Sequence, residues 1–306
     1  MRKILIATEK PFAPVALKKI TKIFNKAGYQ VSVLEKYTSK DELLKAVEDA
    51  EAAIIRSDKF DAEVLNAGKN LKIVVRAGAG YDNVDLDIAT ARGIVVMNTP
   101  GQNANAVAEL AIGLAILGLR ELFSGKPGGE MRGRTLGLHG FGFVARNVFR
   151  IARAMGMKVI VYTRYSKGAA AAIGLKVTGS LEELYEKSDV VSIHVPARGE
   201  HLKSVSYEVL KHLKDGSIIV NTARKEVINE PDLIRIMEEK PGIKYMSDLT
   251  PDMVSEFEIK FPGRYFFTPK KAGAQTAEAN LNAGLAAAEQ IVDFFEKGDI
   301  TYKVNK

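Results

Sequence analysis

The sequence contains no cysteine. Disulfides and thiolate chemistry are therefore excluded, and a cytoplasmic compartment is expected. Histidine is scarce, with only His139, His194, His201 and His212. No two of them have zinc-site spacing, so no metal is expected. Long apolar runs are missing as well. The longest, Ala106–Leu119, contains Glu109 and is too short to span a bilayer. The N-terminal stretch Met1–Glu9 is too short in apolar residues for a signal peptide, and no membrane association is expected. Basic residues exceed acidic ones for a net charge of +7. They are scattered, and no aromatic residues interleave with them. That pattern argues against nucleic acid and favours a small anionic partner. Solenoid repeats and low-complexity segments are also lacking.

What is present is a long alternation of strands and helices. The 306 residues suffice for two domains, and a hydrophobic content of 46% can build sizeable cores. Strands are expected at Ile4–Thr8, Val31–Leu34, Ala53–Ile55, Ile73–Val75 and Ile94–Met97. Helical stretches near Val15–Ala27 and Asp41–Val47, with shorter turns at Ala62–Asn66 and Leu86–Arg92, separate them. A long apolar helix over Asn105–Phe123 introduces a second series. Its strands are expected at Thr135–His139, Lys158–Tyr162, Val190–His194, Ser217–Val220, Lys244–Asp248 and Tyr265–Phe267. The runs are apolar on both faces, as strands of a parallel, doubly wound sheet are. Pro100-Gly101 reads as a crossing between domains, and Ser124–Gly129 as a loop. A final Ala-rich amphipathic helix is expected over Ala274–Glu296.

Two local motifs point to chemistry. Gly140-Phe141-Gly142-Phe143-Val144-Ala145 lies between a strand and a helix and fits the fingerprint G-x-G-x-x-G/A. The first glycine permits a tight turn. The second lets the backbone approach a pyrophosphate, and the small third residue lets helix pack on strand. The helix N-terminus then favours the phosphate charge. The strand Lys158–Tyr162 should end in an acid for the adenosine ribose. Thr163-Arg164 stands there instead, with Lys167 nearby. An acid would repel a ribose 2′-phosphate and Thr-Arg would accept it, so NAD(P) is expected with a lean to NADP. The second motif is Ile218–Glu230, where a β-branched run ends in Asn221-Thr222-Ala223-Arg224. Ligands of open α/β sheets bind at that strand edge, and a guanidinium there can hold a carboxylate with two bonds.

Further segments carry a family resemblance. They are Ala77-Gly78-Ala79-Gly80-Tyr81-Asp82-Asn83-Val84-Asp85, Ser192-Ile193-His194-Val195-Pro196 and Thr268-Pro269-Lys270-Lys271-Ala272-Gly273-Ala274. In order and spacing, with the two motifs above, they resemble the D-isomer-specific 2-hydroxyacid dehydrogenases. Within that family the chain is most similar to short phosphoglycerate dehydrogenases with lysine in the Thr-Pro segment. The resemblance implies a Rossmann-type dinucleotide domain, residues 100–274. It also implies a discontinuous, flavodoxin-like substrate domain of residues 1–99 and 275–306, with the active site in the cleft. A homodimer follows from it too, with Asn105–Gly129 contributing to the contact.

The resemblance also assigns roles. Arg224 orients the substrate, Thr222 belongs to the cofactor site, and Asp248 meets the nicotinamide carboxamide. Ala77, Gly78 and Ala79 hold the carboxylate through backbone amides, and Asn105 touches substrate. Arg56-Ser57 resembles the pair that suits a phosphate. The chain departs from the family at its proton-transfer pair, where Lys270 stands at the histidine position and Met253 at the glutamate position. A lysine can exchange the hydroxyl proton if burial and neighbouring cations lower its pKa from about 10.4 toward neutrality. Arg224 and Lys271 would act in that direction. Asp252 and Glu256 are candidate relocated carboxylates, and His194 is a rival base. The implied reaction oxidises 3-phosphoglycerate to 3-phosphohydroxypyruvate in serine biosynthesis. A glyoxylate or hydroxypyruvate reductase, and a dinucleotide-sensing protein without catalysis, are the alternatives.

Overall fold

The computed structural model of the protein describes residues 1–306 and divides into two compact units. Unit 1 comprises Met1–Asn103 and Thr276–Lys306, and unit 2 is Ala104–Gln275. Unit 1 begins with β1 (Lys3–Thr8), α1 (Pro14–Lys26), β2 (Gln30–Glu35), α2 (Lys40–Val47) and β3 (Ala52–Ile55). It continues with α3 (Ala62–Ala67), β4 (Ile73–Arg76), α4 (Leu86–Ala91) and β5 (Val95–Asn98). The strands pair in parallel in the order β2-β1-β3-β4-β5, the flavodoxin-like arrangement. β3 reads Ala-Ala-Ile-Ile and is buried along its whole length, because helices cover both faces. Ile54 and Ile55 are fully buried there, each contributing roughly 1.5–3 kcal/mol by burial.

Unit 2 opens with α5 (Ala104–Leu119). It continues with β6 (Thr135–His139), α6 (Phe143–Ala154), β7 (Lys158–Tyr162), α7 (Lys167–Ala171), β8 (Lys176–Val177), α8 (Leu181–Lys187) and β9 (Val190–Ile193). Then come α9 (Tyr207–Leu210), β10 (Ile218–Asn221), α10 (Glu230–Glu239), β11 (Lys244–Ser247), α11 (Val254–Lys260) and β12 (Tyr265–Phe267). The sheet order is β12-β11-β10-β9-β6-β7-β8, all parallel. This is the doubly wound Rossmann order with one strand added beyond β11, and its order reverses between β6 and β9. The last helix, α12 (Ala277–Lys297), returns to unit 1. Thr276 caps its start through Ala279 N–H, and Gly298, at φ 69°, ends it. Ala283, Ala287, Ala288 and Ile291 pack it into the core of that unit.

Three differences from the sequence reading have physical causes. α5 ends at Leu119 rather than at Phe123. Glu121, Leu122 and Phe123 follow with φ of 52°, 54° and 54°. The chain then folds back, so that Gly129 N–H donates to the Leu119 carbonyl at 2.7 Å. A Cβ at Gly128 would lie 2.5 Å from that same carbonyl oxygen, so only glycine permits the return. The strands expected to include His194 and Asp248 stop one residue earlier, at Ile193 and Ser247. Both side chains therefore stand on loops at the carboxyl edge. Edge strand β8, two residues long, has no periodicity for a sequence to reveal.

Candidate active site

In unit 2 the carboxyl ends of the strands converge on one edge. β6 runs into Gly140, whose φ is 99° and whose N–H donates to the Tyr162 carbonyl at 2.9 Å. A Cβ at Gly140 would sit 2.8 Å from the His194 carbonyl oxygen. The turn thus depends on glycine twice, for its conformation and for the close approach of β9. Around Gly142 the space is open, since a Cβ there would meet nothing within 4 Å. Gly142 is the N-cap of α6, no side chain caps that helix, and Ala145 beneath is fully buried. Phe143 is exposed and Val144 half-buried against the core. Beside the turn lies a groove of about 220 Å³ lined by Gly140–Gly142, Tyr162–Ser166, His194–Pro196, His139 and His201. Thr222 adds a buried hydroxyl without a hydrogen-bond partner. A glycine turn with open space above it, an uncapped helix start, a groove and an orphaned hydroxyl fit a dinucleotide.

The two histidines at this edge are held neutral. His139 is buried with Nδ1 3.3 Å from the Tyr185 hydroxyl, and burial pushes its pKa down to about 3. His194 Nε2 lies 2.8 Å from Ser192 Oγ, and desolvation takes it in the same direction, to about 3. His194 keeps part of its surface in solvent, so the effect on it is milder than on His139.

Thr163, at the end of β7, is buried, and its hydroxyl accepts from Ser166 N–H at 3.3 Å. Arg164 is exposed, but its guanidinium forms an ion pair with Glu200. Bonding to Tyr162 and Glu200 raises its pKa. A preference for NADP requires Arg164 to offer its charge to a phosphate. The fold instead places a carboxylate on that guanidinium, and nothing local in the sequence announces it.

The next loop is locked by Asn221. Its Oδ1 accepts from Ala223 N–H at 3.0 Å and its Nδ2 donates to the Arg224 carbonyl at 3.0 Å. Arg224, half-buried, donates from Nη1 to the Ala223 carbonyl at 2.9 Å. Just past the adjacent strand β11, Asp248 is buried and donates its amide to the Asn221 carbonyl at 3.0 Å. Its Oδ1 accepts from Thr268 Oγ1 at 2.8 Å and Ala272 N–H at 2.7 Å, and its Oδ2 from Gly273 N–H at 2.8 Å. Asp248 therefore ties down the Thr268–Gly273 loop, which displays Lys270. A carboxylate offers about four acceptor positions, and three are occupied here.

Lys270 itself is exposed at the tip of that loop. Neither candidate carboxylate is directed to it. Asp252 pairs with Lys225, and Glu256 with Lys260 at 2.9 Å. The carboxylate that organises the segment is Glu230, which accepts from Asp252 N–H at 3.0 Å and Met253 N–H at 2.8 Å. Asn105 lies exposed on α5, donating to Glu109 at 2.6 Å and accepting from Arg150 at 3.1 Å.

In unit 1 a second set of groups gathers at the carboxyl ends of β3 and β4. Arg56 is half-buried. It donates to the Lys10 carbonyl at 2.9 Å, the Pro11 carbonyl at 3.3 Å and Asn280 Oδ1, and it lies over the Phe12 ring. Burial lowers its pKa, although a guanidinium stays charged. Ser57 beside it is exposed. Asp58, buried, accepts from Glu9 N–H, Arg56 N–H and the Tyr37 hydroxyl at 2.6, 3.0 and 2.8 Å, joining the loops after β1 and β3. Arg76 Nε donates to the Arg56 carbonyl at 3.0 Å, and its Nη1 lies 1.4 Å from where a Gly78 Cβ would stand. Among the three expected amides, that of Ala77 is committed to the Ile55 carbonyl at 2.8 Å. Sequence reading missed Asn280, Asp58 and Glu200; each acts through a partner distant in the chain, so no local signal marks it.

Sheet order, turn and groove define a dinucleotide-binding α/β protein. Residues 6–305 match the family described as D-isomer specific 2-hydroxyacid dehydrogenase, catalytic domain. The chain is 36% identical over 287 residues to a hydroxypyruvate reductase of Thermotoga maritima, covering 86% of this chain and 90% of that one. It is 36% identical over 301 residues to a D-3-phosphoglycerate dehydrogenase of Archaeoglobus fulgidus, covering 92% of this chain and 56% of the relative. It spans about half the length of the curated D-3-phosphoglycerate dehydrogenases it matches. A crystal structure of cofactor (NAD+) bound 3-phosphoglycerate dehydrogenase from Entamoeba histolytica superposes with a TM-score of 0.90. The two are 46% identical, with 100% of this chain and 99% of the other covered. The chain belongs to the D-isomer specific 2-hydroxyacid dehydrogenase family. No helix is long and apolar enough to cross a membrane.

Proposed function

We propose that the protein oxidises 3-phosphoglycerate at its hydroxyl-bearing carbon, with NAD as cofactor, in serine biosynthesis. One observation carries this reading. The loops bearing Arg224 and Lys270 leave β10 and β12, the two strands that flank β11, at the edge that holds the glycine turn, and Asp248, just past β11, bonds to the end of β10 and to the Lys270 loop. A nicotinamide held at this edge by the glycine turn and Thr222 would supply the hydride acceptor for the substrate carbon. Arg224 grips the carboxylate and the reacting oxygen through its forked donors. In unit 1, Gly78 and Ala79 offer backbone amides as substrate contacts. Lys270 takes the hydroxyl proton and returns it in the reverse direction. Its amine, exposed on the loop tip, gains its desolvation from bound substrate and cofactor. Asp248, with one acceptor position left, meets the carboxamide, and the orphaned Thr222 hydroxyl finds its partner in the bound cofactor. Arg56 and Ser57 receive the phosphate.

A hydroxypyruvate reductase is the second reading, and a specific observation favours it. Arg56 already donates to two carbonyls and to Asn280, which leaves fewer of its donors for a phosphate. Cofactor reduction measured with 3-phosphoglycerate, D-glycerate and D-lactate separates the readings. Turnover is expected to be greatest with 3-phosphoglycerate. Arg56→Ala should raise KM for 3-phosphoglycerate far more than for D-glycerate. Equal effects would remove the phosphate role, and no turnover with any substrate would sink the dehydrogenase. A homodimer built through Asn105–Gly129 belongs to the same reading. The apolar α5 and Phe123, 68% exposed, support it, and light scattering on the eluted protein tests it.

A further inference from the structure

Arg164 and Glu200 stand far apart in the chain, on the loops after β7 and β9, yet their side chains meet beside the groove next to the glycine turn. Glu200 lies in the short turn Gly199–His201. Arg164 and His201 line the groove, and His201 Nε2 is 4.0 Å from the Glu200 carboxylate. Both members of the pair are about half exposed, at 46% and 47%. A pair so open to water adds little to stability, so the fold has little need of it. Its position is more informative. In a doubly wound sheet of this strand order, the residue ending β7 faces the adenosine ribose, and an acid there bonds the ribose hydroxyls. Thr163, the residue at that place, carries no charge.

We propose that Glu200 is the cofactor-selecting acid of this chain, supplied from the loop after β9 in place of the acid missing at the end of β7. The inference rests on the reading that the groove binds a nicotinamide dinucleotide. Glu200 neutralises Arg164 in advance. A ribose 2′-hydroxyl can still share the carboxylate as a donor. A 2′-phosphate must either displace Glu200 from Arg164 or lie beside it as a second anion. Tyr162 and Arg164 both line the groove.

The test is direct binding of NADH and NADPH, followed by nucleotide fluorescence, to the intact protein and to Glu200→Gln, Glu200→Ala, Arg164→Ala and the Arg164→Ala/Glu200→Ala pair. The wild type should bind NADH more tightly. Both single Glu200 variants should shift the ratio of dissociation constants toward NADPH by about tenfold, the scale of one nearby like charge discounted for exposure. The double variant should lose that gain, because the released guanidinium is what receives the phosphate. An unchanged ratio in both Glu200 variants, or a wild type that prefers NADPH, overturns the proposal. A wild type that binds neither nucleotide overturns the dinucleotide reading itself, which keeps the two failures apart. Unaltered thermal midpoints for the exposed Glu200 substitutions would show that the shift is not a folding effect.

Discussion

Lys270 has two properties that a proton carrier in this family must reconcile. It is proposed to stand at the family's histidine position, and it is exposed on a loop tip rather than buried. Its position is set by Asp248, not by a carboxylate of its own. Unlike histidine, a lysine amine needs no partner to fix a tautomer, so the proposed role is compatible with Asp252 and Glu256 being paired elsewhere. Lys270→Met should lower kcat by about 10²–10⁴, the usual range for a general acid–base group. The dissociation constant for NADH should stay near the wild-type value. Near-normal turnover in that variant would remove the role. At Gly140 the demand is steric. Gly140→Ala puts a methyl 2.8 Å from the His194 carbonyl at φ 99°, and the strained backbone should cost about 1–3 kcal/mol of stability. Urea titration would measure that loss, with weaker NADH binding alongside it.

At the level of elements, one buried carboxylate gathers three bonds from the loop between β12 and α12. Asp248 accepts from Thr268, Ala272 and Gly273. Hydrogen bonds to a charged group contribute about 1.5–3 kcal/mol each. Asp248→Ala should therefore free the segment and reduce kcat together with stability. Hydrogen exchange at the Ala272 and Gly273 amides would report it, and unchanged protection would refute the clamp. Thr268-Pro269-Lys270 was legible because its residues are contiguous. Its attachment was not, since Asp248 is 20 residues from Thr268 and 25 from Gly273. α5 teaches the same lesson in reverse. Its apolar composition extends to Phe123, yet the helix stops at Leu119, because the glycine-dependent return of Gly128-Gly129 satisfies its terminal carbonyl.

For the whole molecule, the histidines predict its response to acid. His139 and His194 are held neutral, with pKa values near 3 against an ordinary 6.5. Below about pH 6.5 the unfolded chain takes up protons that the folded chain refuses, so stability falls as the pH falls toward 3. Each histidine steepens that loss by up to about 1.4 kcal/mol per pH unit, His194 by less because it keeps solvent contact. Chemical denaturation at about pH 7 and about pH 5 should show the decline, with His139→Gln reducing it. A flat profile would contradict the buried neutral state. Much of this protein could be read from sequence alone. Alternating apolar runs specified two parallel sheets, and the spacing of Gly140, Gly142 and Ala145 marked the dinucleotide turn. Asn221 and Arg224 marked the loop that leaves β10 at the carboxyl edge. These features share a cause, because periodicity and turn chemistry act between near neighbours. Only the tertiary structure decided which charges meet. It set Glu200 on Arg164, Asn280 on Arg56 and Asp248 beneath Lys270, because such pairings depend on which strand ends the sheet order brings together.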